Sequence, residues 1–154
     1  MKSFIGTFVN KIDAKGRISV PAPFRNVLQQ KGLTGVTCYP SITGPCIEGC
    51  GIDRIEAMVD MLPDEPIPSM QEDSIAHLIF ASARDLQFDT GGRIVLPSDF
   101  INEAKLLQYG AFVGKGRTFQ IWEPKELEKI QKKLLTVAIS QRKKIEETKG
   151  TEIQ

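Results

Sequence analysis

Apolar and polar positions follow the same order in two separate parts of the chain. Each part begins with an extended stretch, residues 7–12 or 85–88, and passes through a polar, glycine-containing loop. A second apolar stretch follows, at residues 18–20 or 94–96, and is rich in the β-branched residues that are typical of strands. The pattern therefore predicts two strands joined by a tight loop in each part.

A proline follows each of these apolar stretches. Proline is favoured in the first turn of a helix and glycine just past its end. We therefore expect helices that begin at Pro21 and Pro97 and end near Gly32 and Gly110. Another apolar segment comes after each helix, at residues 36–39 in the first part and at 111–113 and 118–122 in the second. Residues 41–51 lack the clear strand pattern that 118–122 show.

A second helix is predicted to close each part. The first begins at Asp53, with Glu56 at the spacing of a capping box, and the second begins at Pro124. The last apolar positions of the second helix follow helical spacing on a highly charged background. We expect the tail from Arg142 onward to be frayed or disordered.

The segment between the two parts combines a hinge and a helix. Residues 62–69 contain three prolines, which favour extended chain. Ser69 and Glu72 have capping-box spacing, which predicts a connecting helix that runs through Ala83.

The two parts are copies of one unit. Residues 13–26 lie over residues 89–102 without a gap, and seven residue types coincide: Asp, Gly, Arg, Ile, Pro, Phe and Asn. Phe4 and Phe80 match at the same offset. Strands this short cannot bury an apolar face alone. We therefore expect an α+β fold in which both copies pack together around a pseudo-two-fold axis.

The repeated residues resemble the tandem Asp-x-x-x-Arg signature of the MraZ family. They read Asp-Ala-Lys-Gly-Arg in copy one and Asp-Thr-Gly-Gly-Arg in copy two, with Phe-Ala-Ser-Ala before the second copy and Gln-Ile-Trp-Glu-Pro after it. The similarity spans about residues 4–135. It implies two tandem AbrB-like swapped-hairpin β-α-β units that form one pseudo-two-fold barrel, with flanking helices.

The same resemblance implies the boundaries of the units. The first AbrB-like repeat covers residues 4–62 with a core of about 7–51, the linker and connecting helix 63–79, the second repeat 80–135 with a core of about 83–126, and the C-terminal helix end and tail 136–154.

The function that the resemblance implies is transcriptional regulation. A chain that resembles MraZ proteins is expected to be a bacterial repressor that binds short direct repeats upstream of the division and cell-wall gene cluster, including its own promoter. The resemblance also implies association with the nucleoid and assembly into closed rings. We therefore expect double-stranded DNA and further copies of the chain as partners, and no small-molecule substrate.

Composition agrees with a soluble protein and indicates no cofactor. No apolar run approaches the roughly 20 residues of a membrane span, and the first residues lack the apolar stretch of a signal peptide, so we expect a cytoplasmic location. Cys38, Cys46 and Cys50 are odd in number and have no second ligand pair, which disfavours disulfides and zinc and favours buried, inert thiols. We expect no metal site.

Charge is unevenly distributed along the chain. The total is +1, but residues 1–34 carry a net +5, residues 35–90 a net −8 and the remainder +4. A near-neutral total can therefore conceal a basic face, which is what contacts phosphates.

Four residues of the first hairpin are the candidate DNA contacts: Asn10, Lys11, Lys15 and Arg17. Lysine suits phosphate, whereas the planar fork of arginine suits the O6/N7 edge of guanine. The second loop has Thr90 and Gly91 where the first has Ala14 and Lys15, so it loses a cation. This difference predicts that the first copy contributes more to DNA binding.

Asp13, Asp89 and Arg93 are expected to form structural ion pairs within the loops, since an acid that faced DNA would be repelled. The alternative for Arg17 is the same structural role, and Arg25 is interpreted as a solvated or interface residue of the following helix.

Two other classes of protein share parts of this pattern. Asp89-Thr-Gly is the string of aspartic proteases, in which two carboxylates share a proton. Copy one has Asp13-Ala-Lys instead, and Arg93 would keep a carboxylate ionised, so we expect no catalytic residues and no enzyme. AbrB-like antitoxins that pair with a toxin are the second alternative; they usually carry one copy and a disordered tail.

Overall fold

The computed structural model describes residues 2–62, 64 and 70–153. In chain order the strands and helices are β1 (Thr7–Lys11), β2 (Arg17–Ser19), α1 (Ala22–Gln30), β3 (Gly35–Pro40), β4 (Ile47–Cys50), α2 (Ile52–Asp60), α3 (Met70–Ser82), β5 (Arg84–Gln87), β6 (Arg93–Val95), α4 (Ser98–Glu103), β7 (Tyr109–Gly114), β8 (Phe119–Trp122) and α5 (Pro124–Ile153). The α+β class expected from the sequence is confirmed.

The chain divides into two compact units. Residues 1–123 contain all the described strands and α1 to α4, and residues 124–154 form the second unit with α5. No helix in the described part of the chain has the length and apolar character needed to cross a membrane.

All described strand pairs are antiparallel, and most join one copy to the other. A six-stranded sheet has the order β1-β7-β8-β4-β3-β5, and β2 and β6 form a separate two-stranded ribbon. The pairing is symmetric between the copies. β1 of copy one pairs with β7 of copy two, and the equivalent strand β5 of copy two pairs with β3 of copy one. The two copies therefore form one folded unit.

The closed barrel implied by the resemblance is not what the described strands form. The six-stranded sheet is open, with β1 and β5 at its edges. The three-residue strands of the ribbon use their ladder hydrogen bonds on each other, and an isolated bridge between Ile12 and Ile18 links β2 to the end of β1. Because β2 and β6 have three residues each, they have too few hydrogen-bonding groups left to join both edges of the six-stranded sheet into a barrel.

The core lies between the sheet, the ribbon and the first helix of each copy. Four phenylalanine rings pack with centroid separations of 5.1–6.4 Å, and the ribbon adds Ile18 and Ile94, both fully buried. The four rings belong to Phe4, Phe24, Phe112 and Phe119. Both copies contribute to this cluster, so burial of its apolar surface stabilises the pairing of the copies.

The helices after the two prolines end differently from the sequence prediction. α1 ends as expected, with Gly32 at φ +75° just beyond it. α4 ends at Glu103 rather than near Gly110, which lies in β7. Lys105 adopts φ +56°, and the N–H of Leu106 donates to the Ile101 carbonyl at 3.0 Å. This is the αL stop that glycine usually provides, and a lysine there conceals it from sequence inspection.

The second helix of copy one also begins differently. α2 starts at Ile52 after Gly51, and no side chain caps its N-terminus, so the capping box predicted for Asp53 and Glu56 is wrong. β4 supplies the closing strand that residues 41–51 left open. The connecting helix is present as α3, while its predicted cap Ser69 and most of the hinge 62–69 lie outside the described residues.

The C-terminal unit is one helix. Residues 142–153, for which the sequence predicts a frayed or disordered tail, continue α5. An ion pair one turn apart lies in this stretch, Arg142 with Glu146 at 3.2 Å, and the Thr148 hydroxyl donates to the Lys144 carbonyl at 2.9 Å. Such i,i+4 pairs support an exposed helix.

Candidate nucleic-acid interface

The loop between β1 and β2 is built around the carboxylate of Asp13. Its Oδ1 accepts hydrogen bonds from the backbone N–H groups of Lys15 at 2.9 Å and Arg17 at 2.8 Å, and its Oδ2 accepts from Arg17 Nε at 2.6 Å. Gly16 completes the turn at φ +80°, a region that glycine enters without steric cost. We call residues 13–17 loop one.

The loop between β5 and β6, residues 89–93 or loop two, repeats this geometry. Asp89 Oδ1 accepts from the N–H groups of Gly91 and Arg93, both at 2.9 Å, and Asp89 Oδ2 accepts from Arg93 Nε at 2.8 Å. Gly92 adopts φ +76°. Arg17 and Arg93 therefore form equivalent ion pairs, each with the aspartate of its own loop. The sequence pattern had predicted different roles for them.

Both loop carboxylates are held in the ionised form. The hydrogen bond from the Arg17 backbone N–H, assisted by the Arg17 guanidinium, lowers the pKa of Asp13 below its usual 3.8. The N–H and guanidinium of Arg93 lower the pKa of Asp89 in the same way. Each carboxylate is bound within its own loop, and β2 and β6 are antiparallel, so the loops precede opposite ends of the ribbon. This differs from an aspartic-protease dyad, in which two carboxylates share one proton.

The ribbon presents alternate residues to opposite faces, as a β-strand must. Ile18 lies opposite Ile94 and both point into the core. The residues that flank them in sequence form the outer face of the ribbon: Arg17, Ser19, Arg93 and Val95. Val95 is 55% exposed, and the two arginines lie diagonally across the pair. The major groove of B-DNA admits a two-stranded ribbon of this kind.

Backbone hydrogen bonds tie each loop to the opposite strand. The Leu96 N–H donates to the Gly16 carbonyl at 2.9 Å, and the Val20 N–H donates to the Gly92 carbonyl at 3.1 Å. Loop one is therefore anchored by copy two and loop two by copy one. This anchoring makes the outer face and both loops one rigid arrangement.

The remaining predicted contacts lie in loop one or beside it. Lys11 and Lys15 are exposed, and no ion pair is described for either. Lys15 donates its backbone N–H to Asp13, which fixes its main chain and leaves the ammonium group free to reach outward. Asn10 Nδ2 donates to the Ser19 carbonyl at 2.8 Å, so its amide bridges β1 and β2.

Arg25 is a cation of this surface that the sequence pattern did not assign to it. Its Nε donates to the Val20 carbonyl at 3.0 Å, and its guanidinium covers Gly92 so closely that a methyl group there would overlap it. Ile101, the equivalent residue of copy two, lies against Gly16. A helix of each copy therefore covers the loop of the other, and loop two acquires the cation of copy one. The sequence signal for this arrangement is that Arg25 and Ile101 occupy equivalent positions in the two copies.

The cysteines lie away from this surface and are buried. Burial raises the pKa of Cys50 to about 11 and that of Cys46 to about 12, and it raises the pKa of Cys38 further. Thiols with such pKa values are protonated and weakly reactive at neutral pH. Within the described ranges, no three His, Cys, Asp or Glu side chains converge as metal ligands would.

Comparisons with known proteins match nearly the whole chain. A family model described as "MraZ protein, putative antitoxin-like" matches residues 79–150. The chain is 39% identical over 142 residues to the transcriptional regulator MraZ of Rickettsia canadensis (strain McKiel), which covers 92% of this chain and 95% of that protein. It is 44% identical over 130 residues to the protein of that name from Rhodospirillum rubrum, covering 83% and 84%. A third such protein, from Pelagibacter ubique (strain HTCC1062), is 44% identical over 128 residues, covering 83% of each chain.

Proposed function

Because the chain belongs to the MraZ family, we propose that it is a transcriptional regulator that binds specific DNA sequences through the outer face of the β2–β6 ribbon. The observation that carries the proposal is that Arg17 and Arg93 lie diagonally on that one face, with Lys15 exposed in loop one and Lys11 exposed beside it. The major groove of B-DNA is wide enough to admit a two-stranded β-ribbon, and the outer face of this ribbon is basic.

The geometry supports different roles for the arginines and for the lysines. Arg17 and Arg93 each use Nε for their aspartate, and no contact of their terminal Nη atoms is described, so these atoms can still donate to base edges. Lys11 and Lys15, for which no ion pair is described, lie on the flank and are suited to phosphates. Affinity then comes mainly from the lysines and specificity from the arginines.

In this proposal both copies contact DNA. The aspartate-bound arginine is the same in loops one and two, and Arg25 supplies loop two with a second cation. Lys15 has no counterpart in loop two, where Gly91 stands. The first copy therefore neutralises more phosphates, while each copy offers one arginine to the bases.

We further propose that the cross-pairing of the two copies is the swapped-hairpin arrangement of AbrB-like dimers, made within one chain. The symmetric exchange of β1 with β7 and of β5 with β3 supports it. Asp13, Asp89 and the ribbon strands then hold equivalent places in the two copies. Asn10 has a structural role in this arrangement, since its amide already bridges β1 and β2.

The targets that we propose are short direct repeats upstream of the bacterial division and cell-wall gene cluster, including the promoter of the chain's own gene, where it acts as a repressor. This places it on the nucleoid in the cytoplasm. A closed ring of several chains would bring several ribbons to successive repeats. Static light scattering should then give a mass several times 17.1 kDa, and a monodisperse monomer at micromolar concentration would exclude the ring.

An antitoxin role is the alternative, and the description of the matching family model mentions it. The second copy and the continuous helix to Ile153 favour the regulator, since antitoxins of this class usually have one copy and a disordered tail.

The test is a DNA titration at several salt concentrations, with the repeat-containing promoter and a scrambled duplex. Lys15→Ala should weaken binding to both duplexes and reduce the log–log salt slope by about 0.9 for each phosphate that is no longer neutralised. Arg17→Ala and Arg93→Ala should reduce discrimination between the duplexes, by about 1–3 kcal/mol for each arginine that reads a guanine. Lys115→Ala is the matched control, because Lys115 lies in the turn between β7 and β8, at the other end of the β1–β7 pair.

Thermal unfolding of each variant separates a defect in DNA binding from a defect in folding. The proposal fails if Lys15→Ala and Arg17→Ala bind both duplexes as the wild type does, or if Lys115→Ala weakens binding as much as they do.

A further inference from the structure

A cleft of about 580 Å³ opens between the N-terminal segment, α2 and the turn that joins β7 to β8. Phe4 lies at its floor, hydrogen-bonded through its N–H and carbonyl to Gly116 at 2.7 and 3.0 Å. β1 runs from this end of the sheet to loop one, and its five residues span roughly 16 Å at about 3.3 Å each. The cleft is therefore separate from the outer face of the ribbon.

Four exposed cations line the cleft, and they come from four separate parts of the chain: Lys2, Lys31, Arg54 and Arg117. Asp53 is the one acid among the described residues of its wall, and it pairs with Lys31 at 3.1 Å. Lys2, Arg54 and Arg117 have no described acidic partner. Cations gathered on a concave wall repel one another and concentrate anions, so this wall favours a ligand with several negative charges.

The cleft also has an apolar part, formed by α2, the helix that carries Arg54, and by the residue at its C-cap. Ala57, Met58 and Met61 supply these side chains, and Met61 is 85% exposed. Methionine is flexible and polarizable, which suits packing against a planar aromatic group. The volume lies within the usual range of roughly 300–1,000 Å³ for small-molecule sites. The lining therefore combines cations, which can bind a polyphosphate, with apolar side chains, which can pack against an aromatic base.

A concave site fits a small ligand better than a duplex. The phosphates of duplex DNA lie on a convex surface and are contacted by protruding groups such as those of the ribbon. From charge, shape and lining together, we propose that this cation-rich cleft binds a nucleoside polyphosphate. Lys2, Arg54 and Arg117 contact the phosphates, and Met58 and Met61 pack against the base. This site goes beyond the DNA-binding function and does not depend on it.

Isothermal titration calorimetry of the full-length chain with ATP and with GTP tests the proposal. We expect one site per chain for at least one of the two nucleotides. The double variant R54Q/R117Q should raise its Kd by about tenfold or more, because two guanidinium groups no longer bind the phosphates. The matched control K133Q/K143Q removes the same charge from exposed positions of α5, for which no ion pair is described, and should change Kd by less than about twofold.

Two further arms identify what is recognised. Tripolyphosphate should bind more weakly than the nucleotide, and M61A should weaken nucleotide binding while leaving tripolyphosphate binding unchanged. Thermal unfolding and the DNA titration are run on every variant. The proposal is overturned if neither nucleotide binds at millimolar concentration, if the control loses as much affinity as the cleft variant, or if tripolyphosphate binds as tightly as the nucleotide. It is also overturned if R54Q/R117Q changes DNA affinity or oligomeric mass but not nucleotide binding.

Discussion

At the scale of single residues, the aspartate of each loop organises its surroundings. One Oδ1 accepts two backbone N–H groups and the other oxygen holds an arginine Nε, in loop one and loop two alike. Arg17 and Arg93 thus share one structural role and keep their terminal nitrogens available. What distinguishes the two ends of the ribbon is Lys15 at one and Arg25 at the other.

The first residue-scale prediction concerns acid. The pKa of Asp13 and of Asp89 is lower in the folded chain than the usual 3.8, so their stabilisation is complete above that value. It is lost as pH falls through the lowered folded-state pKa. Asp13→Asn and Asp89→Asn should each lower Tm at neutral pH, and the difference from wild type should shrink as the pH falls below 3.8.

Differential scanning calorimetry across this pH range is the measurement. Asp60→Asn is the control, because Asp60 is exposed on α2 with no described ion pair. A Tm difference for Asp89→Asn that persists unchanged at the acid end would contradict the assignment.

The second residue-scale prediction restores the missing cation of loop two. A Cβ on Gly91 would meet only ordinary contacts, the nearest being Asp89 Oδ1 at 3.4 Å, and the residue has no left-handed φ. Gly91→Lys should therefore fold normally and strengthen DNA binding. Its log–log salt slope should steepen by about 0.9 for each additional phosphate that is neutralised, measured in the same titration. Gly91→Gln is the uncharged control, and equal binding by the two variants would show that loop two does not reach phosphates.

At the scale of elements, short strands are held by close packing across the sheet. Gly49 of β4 lies opposite Phe119 of β8, and the ring of Phe119 occupies the space that a side chain at position 49 would need. Phe119 is itself fully buried among the other core rings. The absence of a side chain at Gly49 thus allows β4 and β8 to join the two copies.

We expect Gly49→Ala to destabilise the chain by about 1–3 kcal/mol, the usual cost of overpacking a core. Urea denaturation measures the free energy of unfolding. Gly91→Ala is the matched control, since its added Cβ has room. Equal stability of Gly49→Ala and wild type would mean that the ring can move aside without cost.

At the scale of the whole molecule, four of the six described strand pairs join one copy to the other, and only β3–β4 and β7–β8 lie within a copy. β1 pairs with β7, β5 with β3, and β2 with β6, so each pair needs both copies. The core cluster likewise draws Phe4 and Phe24 from one copy and Phe112 and Phe119 from the other. Folding of residues 1–123 is therefore expected to be a single cooperative event.

Splitting the chain between the copies tests this. Fragments 1–62 and 70–154 should each fail to form a cooperatively folded monomer, because their exposed strand edges and apolar faces have no partner. Mixing them should restore a folded one-to-one complex. Circular dichroism with sedimentation measurements checks both outcomes. A fragment 1–62 that unfolds cooperatively as a monomer would contradict the interdependence of the copies.

Features that depend on local interactions can be predicted from the sequence alone. The duplicated loop motif, the strands beside it, the helices that begin at the two prolines and the α+β class all follow from neighbouring residues. The end of α4 was missed because Lys105 adopts the αL conformation without being glycine.

The contacts between the two copies, by contrast, become visible only in the folded chain. The pairing of β1 with β7 joins residues about a hundred positions apart, and no local pattern encodes it. The packing of the two copies against each other sets Arg25 on loop two, places Arg17 and Arg93 on one face of the β2–β6 ribbon and brings Lys2, Lys31, Arg54 and Arg117 around one cleft. These groups are distant in sequence, so their proximity is a property of the packed core and not of any segment.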